Sequence, residues 1–494
     1  MKRSLGLAFG AGLAAAAGQA PLGLWWLAVP AYALVTYLVI RAPNARAGFL
    51  WAWAAGVGHF GAALSWIVQP FFVDPVRHGW MAPFALVLMA GGLALFWGLA
   101  GWAAVRRGGR ICRALLFGLC LTLAEALRGM VLTGFPWALP GHIWIDTPVM
   151  QAAAWIGPNG LTLLTLVLAL LPVAFARRGV ATAILMLAVV WSAGLLRLAG
   201  PEPEPRGVTL RLVQPNAEQS LKWDPDEAER LFRLQLDFTA AQPAPDLVIW
   251  PETALPYLLD PGRDAAAAVA RAAQGVPVAL GAQRVEGGAA YNSLAVIGAG
   301  GALTGLYDKA HLVPFGEYMP MGDVLHAWFG LSAFAARQGH GYAAGPGPRL
   351  LDLGDLGKVL PLICYEAVFP NDLRAAPGRA DWILQITNDA WFGTLTGPFQ
   401  HAAQARLRAV EQGLPLVRVA NTGVTQVVDA RGRVIAGLAF GTAGWLDAAL
   451  PGALPPTFFA RHGDTALLLL LMILALALLT ISKHRPLDAY GGRA

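Results

Sequence analysis

Three polar side chains in the second half of the chain follow apolar runs or lie in a dense local motif, and together their types could perform nucleophilic catalysis. Glu252 closes the run LVIWPE, Lys309 lies in DKAHLVPFGEYMP, and Cys364 follows the run VLPLI. A thiol becomes a useful nucleophile when a base removes its proton or a cation lowers its pKa. Glu252 could be that base, and Lys309 could stabilise both the thiolate and an oxyanion. The three residues therefore predict a cysteine nucleophile.

Each of these residues also has a purely structural interpretation. Cys364 is the only cysteine between residues 205 and 450, and a single cysteine after an apolar strand is often a small core residue. Glu252 could be a carboxylate at a helix N-terminus, and Lys309 could be a surface lysine. The sequence has no CxxC or Cys/His ligand spacing, so we expect no zinc site. The coincidence of all three groups at the ends of elements favours catalysis.

The elements that must position these groups alternate between short β-type runs and helical patterns. This alternation predicts a layered α/β domain over residues 205–450, and apolar runs such as WILQI indicate a sheet buried on both faces. The predicted helices are 225–241, 263–274 and 399–412. The predicted strands are 208–213, 246–250, 277–282, 294–297, 359–363, 382–387, 416–420 and 425–429.

The composition indicates that much of the remaining chain lies in lipid. Hydrophobic residues make up 56% of the sequence and charged residues only 13%, against roughly a quarter charged in globular domains. A spanning helix needs about 20 residues, so two of the apolar segments are short. The first segment also resembles a signal peptide, but we expect a retained helix because the next span follows at once. The predicted spans are 5–17, 22–40, 49–68, 81–105, 114–132, 161–176, 180–198 and 466–481.

The basic residues between these segments predict the topology. If both termini are cytoplasmic, the inside loops hold most of the Lys and Arg residues, and the short outside loops hold only Arg77 and Arg128. Residues 199–463 then lie in the periplasm or an equivalent space. The inside residues are Lys2, Arg3, Arg41, Arg46, Arg106, Arg107, Arg110, Arg113, Arg177, Arg178, Lys483, Arg485 and Arg493. Because the basic residues fall in short loops, the net charge of +6 does not indicate nucleic-acid binding.

The predicted organisation therefore has four parts. They are a transmembrane bundle over 1–200, a catalytic domain over 205–450, a final transmembrane helix over 464–483 and a cytoplasmic tail over 484–494. Within the bundle, Glu125 and Arg128 are three residues apart and can face each other on one helix. They could form an ion pair that stabilises the bundle, or a functional site, since charges inside a membrane are often functional.

The motifs around Glu252, Lys309 and Cys364 resemble the nitrilase, or carbon-nitrogen hydrolase, superfamily. The resemblance covers residues 207–447 and implies an αββα sandwich with a Glu-Lys-Cys triad. With seven spans before this domain and one after it, the whole chain resembles the apolipoprotein N-acyltransferase family. The stretches VQPNAEQSLKW, WPETALP, HLVPFGEYMP, ICYEAVFP and TGFPW carry that second resemblance.

The resemblance implies a role for each residue of the site. Cys364 would be the nucleophile, Glu252 the general base and Lys309 the electrostatic stabiliser. The supporting residues would be Glu317, Trp223, Tyr365 and Glu366. The acyl donor would be a phospholipid, with phosphatidylethanolamine expected, and the acceptor a diacylglyceryl apolipoprotein in the bacterial inner membrane. Residues 313–344, which mix large apolar side chains with glycines, are a candidate lid or an ordinary helix-loop unit.

Two other functions remain open from the sequence. A membrane-tethered nitrilase-type amidase would share the triad, although a soluble amidase needs neither eight spans nor an apolar lid. A non-catalytic scaffold or transporter would leave the triad unexplained, and the membrane part lacks an obvious doubled set of broken helices.

Overall fold

Two units make up the described part of the chain. The computed structural model describes residues 1–106, 108–222, 224–259, 264–320 and 341–481. The helical unit contains the described residues of Met1–Pro201, Phe392–Gln412 and Pro456–Ala494, and the sheet unit contains those of Glu202–Trp391 and Gly413–Pro455. Phe392–Gln412, which the sequence analysis placed inside the catalytic domain, thus packs with the helices.

The helical unit consists mainly of α-helices. Close approach between helices is possible because small residues line the contacts: a Cβ on Gly12 would collide with the backbone of Ala55, and one on Gly101 with that of Gly48. The helices are Lys2–Ala16, Trp25–Ile40, Ala45–Ala63, Pro75–His78, Ala82–Val105, Arg110–Arg128, Ala153–Leu198, Gly397–Gln412, Phe458–His462 and Thr465–Ile481, and a 3-10 segment spans Ser65–Phe72.

The stretch Ala153–Leu198 is not one straight rod. Ala176 has a non-helical backbone with φ of 51°, and a Cβ on Gly194 would collide with the backbone of Pro148. A straight helix rises about 1.5 Å per residue and would hold Gly194 and Pro148 tens of ångströms apart. The chain therefore turns back near Ala176, between the sixth and seventh predicted spans.

Length and hydropathy identify fewer membrane spans than the sequence predicted. In the described chain, Pro75–Val105 and Pro148–Leu198 are long and apolar enough to cross a membrane, and the pair Ala45–Ala63 and Ser65–Phe72, bent by 47°, makes a third if it is one span. Trp25–Ile40 and Leu467–Leu478 are shorter apolar helices. The predicted count of eight is not confirmed, because several of the predicted segments form helices that are too short or too polar by these measures.

The sheet unit contains two six-stranded sheets. Their strands are β1 Thr209–Gln214, β2 Leu247–Ile249, β3 Val278–Glu286, β4 Ala289–Ile297, β5 Leu303–Asp308, β6 Leu351–Asp352, β7 Lys358–Ile363, β8 Trp382–Thr387, β9 Leu416–Ala420, β10 Gln426–Val428, β11 Val434–Gly437 and β12 Gly444–Ala449. The first sheet has the order β12-β1-β2-β3-β4-β5 and the second β11-β10-β9-β8-β7-β6. Each sheet has a parallel centre, β1-β2-β3 or β7-β8-β9, with antiparallel strands outside it.

Burial explains why the central strands read as unbroken apolar runs. Every residue of β2, β8 and β9 is buried, as expected for parallel strands covered on both faces. Helices Pro225–Ala240 and Asp264–Ala273 place Phe232 and Val269 in one core cluster with strand residues such as Val248. Pro370–Ala375 is a third, short helix. The sheet unit is thus a two-sheet α/β fold, as predicted.

Candidate active site

The ends of three strands deliver the three predicted catalytic side chains. Glu252 follows β2 after two residues, Lys309 follows β5 directly, and Cys364 follows β7 directly. Glu252 and Lys309 therefore come from the first sheet and Cys364 from the second. All three are buried, with relative exposures of 6%, 1% and 5%.

The Glu252 carboxylate is fixed by hydrogen bonds to both oxygens. Oε1 accepts a hydrogen bond of 2.7 Å from the Asn292 side-chain amide, and Oε2 accepts one of 2.8 Å from the backbone N–H of Asn388. The Lys309 ammonium lies 3.8 Å from Oε1. Burial, the largest influence, raises the pKa of Glu252; Lys309 opposes that rise and Glu317 adds to it. A raised carboxyl pKa suits a general base that must accept and return a proton near neutral pH.

Lys309 is paired more closely with Glu317 than with Glu252. Its Nζ donates to Oε1 of Glu317 at 2.9 Å and lies 2.8 Å from Oε2. Glu317 also accepts a 2.9 Å bond from the Val313 backbone N–H and a 3.1 Å bond from Asn292. Burial alone lowers the pKa of Lys309, but Glu317 and Glu252 outweigh it and raise the pKa above its usual range. Lys309 is therefore a permanent cation in the site.

Cys364 occupies a tight turn between β7 and a 3-10 helix, Cys364–Val368. Its φ of 52° lies in the left-handed region, where non-glycine residues are strained, and such strain concentrates at functional sites. Burial and the Glu252 charge raise the pKa of the thiol, while Lys309 and a hydrogen bond with Thr387 lower it, and the net shift is upward. The resting thiol therefore keeps its proton and needs a base to become a nucleophile.

Glu366 connects the turn of Cys364 to the segment of Lys309. Its Oε2 accepts a 2.7 Å bond from the Ile363 backbone N–H, just before the cysteine. Its Oε1 accepts bonds from the Tyr307 hydroxyl at 2.8 Å and the Ala310 N–H at 2.8 Å, on either side of Lys309. Glu366 thus joins the strand end that carries Cys364 to the segment that carries Lys309, and these belong to different sheets.

The structure describes some of the other predicted site residues and not others. Tyr365 is buried, with its ring edge-on to His311 and Phe369 at centroid distances of 5.7 and 4.9 Å. Trp223 and residues 321–340 of the predicted lid lie outside the described residues. At the start of that lid, Phe315 is 55% exposed.

Two residues that the structure brings to the site do not stand out in the sequence. Asn292, on β4, donates to both Glu252 and Glu317. Gly281, on β3, lies against the turn of Glu252, where a Cβ would come within 2.6 Å of the Glu252 Cα and 2.5 Å of the Thr253 N. Neither belongs to a motif, and only the pairing of strands shows their place.

No cluster of three or more His, Cys, Asp or Glu side chains in the described residues could hold a metal ion. The groups brought together are a thiol, two carboxylates and an ammonium. Such a set can perform nucleophilic attack with proton transfer and charge stabilisation.

Comparison with known proteins decides the family. Residues 11–171 match the model of the apolipoprotein N-acyltransferase N-terminal domain, and residues 209–454 match that of carbon-nitrogen hydrolases. The apolipoprotein N-acyltransferase of Caulobacter vibrioides is 38% identical over 94% of this chain and 92% of its own length. That of Bradyrhizobium diazoefficiens is 36% identical over 98% of this chain and 96% of its own.

The chain belongs to the apolipoprotein N-acyltransferase family. Its members are acyltransferases of the carbon-nitrogen hydrolase superfamily, so the predicted family is confirmed. Among solved structures, an amidase from Nesterenkonia sp. AN1 is similar with a TM-score of 0.37 and 19% identity over 53% of this chain and 98% of that one. A carbon-nitrogen hydrolase from Helicobacter pylori has a TM-score of 0.35 and 16% identity over 57% of this chain and 97% of that one.

Proposed function

We propose that this chain transfers the sn-1 acyl chain of a phospholipid to the α-amine of a diacylglyceryl-cysteine at the N-terminus of an apolipoprotein. Family membership supports the N-acyltransferase activity. The observation that carries the chemistry is the convergence of Glu252, Lys309 and Cys364, which are buried together and come from the ends of three strands.

The first half-reaction acylates the enzyme. Glu252 accepts the proton of the Cys364 thiol, and the thiolate attacks the ester carbonyl carbon of the phospholipid. Lys309 stabilises the negative oxygen of the tetrahedral intermediate. The intermediate collapses to a thioester, and the leaving lysophospholipid alkoxide takes the proton from Glu252. The raised pKa of Glu252 suits both directions of this transfer.

The second half-reaction transfers the acyl chain. The α-amine of the acceptor attacks the thioester carbonyl and loses a proton to Glu252. The C–S bond breaks, an amide forms, and the Cys364 sulfur recovers its proton. This is ping-pong acyl transfer with no metal or dissociable cofactor. Glu317 holds Lys309 in place, and Glu366 fixes the turn of Cys364 to the Lys309 segment. The proposed roles of Trp223 and Tyr365 follow from the family resemblance alone.

The membrane arrangement belongs to the same proposal. It has eight spans, both termini in the cytoplasm and the sheet unit in the periplasm of a bacterial inner membrane, with phosphatidylethanolamine as donor. The reversal at Ala176 supports two spans within Ala153–Leu198, and the shorter apolar helices supply further candidates. Both substrates are lipid-anchored, which explains why the chemistry would be attached to a membrane unit.

The direct test is product analysis with purified protein in detergent micelles. Phosphatidylethanolamine labelled only in its sn-1 chain is mixed with a diacylglyceryl lipopeptide, and the peptide is examined by mass spectrometry. We expect the label in an N-terminal amide, and no product from the same peptide whose α-amine is acetylated. Label released only as free fatty acid would indicate a hydrolase, and unreacted donor with folded protein would reject the proposal.

A further inference from the structure

A second buried lysine, Lys222, lies behind the turn that carries Glu252. Lys222 is only 6% exposed. Its Nζ donates to the Thr253 hydroxyl at 2.7 Å and to the backbone carbonyl of Glu252 at 3.3 Å. Neither contact involves the Glu252 carboxylate, which faces Asn292, Asn388 and Lys309. These two hydrogen bonds of Lys222 therefore hold the turn of the proposed base through its backbone and not through its carboxylate.

The turn at Glu252 and Thr253, which Lys222 contacts, has a strained backbone. Thr253 has a φ of 47°, in the left-handed region that is unfavourable for a β-branched residue. The turn is also pressed against Gly281, whose N–H donates to the Pro251 carbonyl at 3.2 Å. On the far side, the Gln235 side-chain amide donates to the Ala254 carbonyl at 3.2 Å. Strained backbone persists only where its surroundings hold it.

The charge of Lys222 also balances the site. The carboxylates of Glu252 and Glu317 face one close ammonium, that of Lys309. The groups that influence Glu252 electrostatically are Lys309, Glu317 and Lys222, and Glu252 in turn influences Cys364 and Tyr342. Lys222 is the second cation in this set. Burial lowers its pKa to about 8, with Glu252 opposing the shift, so it remains mostly charged at neutral pH.

We propose that Lys222 is a positioning residue for the acyl transfer, holding the Glu252–Thr253 turn so that the Glu252 carboxylate faces Lys309 and Cys364. The proposal rests on the proposed function. Lys222 donates to the Glu252 carbonyl and the Thr253 hydroxyl, so its effect reaches the chemistry through the placement and protonation of Glu252. Its loss therefore changes the rate and also the pH at which the base becomes active.

The experiment compares Lys222→Met with Lys222→Arg, and uses Lys358→Met, a change at an exposed strand position, as the control. Two readouts are taken between pH 5 and 10: N-acylation of the lipopeptide, and alkylation of Cys364 by iodoacetamide, followed on the Cys364 peptide by mass spectrometry. Thermal unfolding in detergent identifies the variants that remain folded. Alkylation needs no acyl substrate, so it tests Lys222 even if the proposed transferase activity fails.

We expect Lys222→Met to lower the N-acylation rate by about 10- to 100-fold, since small displacements of a catalytic group have effects of this order. Removing a nearby cation raises the pKa of Glu252, so the acid limb of both profiles moves to higher pH. Lys222→Arg keeps the cation, so it restores the limb and part of the rate. A folded Lys222→Met protein with wild-type rate and profiles would overturn the proposal, as would an arginine variant no better than the methionine variant.

Discussion

Each unit of the chain buries ion pairs, and two of them, Glu125–Arg128 and the cluster of Lys309, have different surroundings. In the helical unit, Arg128 lies 2.5 Å from Glu125. Glu125 also accepts a 2.7 Å bond from the Trp97 indole, and Arg128 donates to the backbone carbonyls of Phe135 and Trp137. Apart from each other, the partners in these hydrogen bonds are an indole and two backbone carbonyls, although the charges of the pair also act on a buried tyrosine and a buried histidine. This pattern favours the structural interpretation, in which the pair ties a helix to the segment that follows it.

In the sheet unit, the buried cation is Lys309, and the groups around it can gain or lose a proton. Lys309 faces two carboxylates, and its charge acts on the Cys364 thiol. The hydrogen bonds of the Glu125–Arg128 pair lead to an indole and backbone carbonyls, whereas the Lys309 cluster holds a thiol and a carboxylate between which a proton can pass. Burial of charge alone therefore does not identify an active site; a nucleophile with a base beside it does.

The sharpest contrast comes from making the same substitution in both clusters. We expect Glu252→Gln to lower the N-acylation rate by about 10³-fold, because a general base contributes about 10²- to 10⁴-fold. Glu125→Gln leaves Arg128 without its counter-ion and lowers stability by about 3–5 kcal/mol, while each folded molecule keeps the wild-type rate. Initial rates and thermal unfolding measured on both variants check this. A loss of rate in folded Glu125→Gln would break the distinction.

Removing Lys309 tests whether the cation serves stability and chemistry together. Lys309→Met leaves Glu252 and Glu317 buried without it, so we expect a loss of about 3–5 kcal/mol and a rate lowered about 10²- to 10³-fold. Adding Glu317→Gln removes one of the two carboxylates and recovers part of the stability but none of the rate. Recovery of the rate in the double variant would show that Lys309 has only a structural role.

A methyl group added next to the backbone of Glu252 should lower the N-acylation rate less than removal of Lys309 does. Gly281→Ala puts a Cβ within 2.6 Å of the Glu252 Cα. We expect a rate lowered about 10²-fold through misplacement of the carboxylate and a stability loss of about 1–3 kcal/mol. Gly444→Ala is the matched control, because a Cβ there meets nothing within 4 Å. Equal rates in the two variants would mean that the position of the turn does not matter.

The smallest expected effect is a shift in the pH profile. Glu317 raises the pKa of Glu252 and Lys309 lowers it. Glu317→Gln removes a negative neighbour and frees Lys309 to approach Glu252, and both changes lower the pKa of the base. Since the base acts when deprotonated, the acid limb of kcat/KM should move to lower pH. A limb that stays in place or moves to higher pH would contradict this electrostatic account.

The sequence indicated the positions of the candidate catalytic side chains better than the contacts that support them. Glu252 and Cys364 follow apolar runs, which are readable because strands β2 and β7 are almost wholly buried, and Lys309 lies in a dense local motif. Each of the eight predicted strands overlaps an observed one. Strands β5, β11 and β12 were missed because most of their residues are partly or fully exposed, and β6 was missed because it has only two residues. Asn292 and Gly281 act through contacts between strands, which no local pattern records.

The helical unit was harder to predict because its helices depart from simple spans. Gly397–Gln412 was predicted as a helix, but its membership of the helical unit was not. It buries polar side chains, among them Gln400, which accepts a 2.7 Å bond from the Trp137 indole and donates to the Ala63 carbonyl. Hydropathy cannot detect such a contact, because it depends on partners hundreds of residues away.

The central claim is that Cys364 carries the acyl chain, and intact mass measures this most directly. Wild type and Cys364→Ala are incubated with phosphatidylethanolamine, weighed, and then exposed to a diacylated lipopeptide. The account predicts one added acyl mass on wild type, none on the variant, and loss of that mass together with N-acylation of the peptide. An adduct that persists on Cys364→Ala, or folded wild type that never gains the mass, would contradict it.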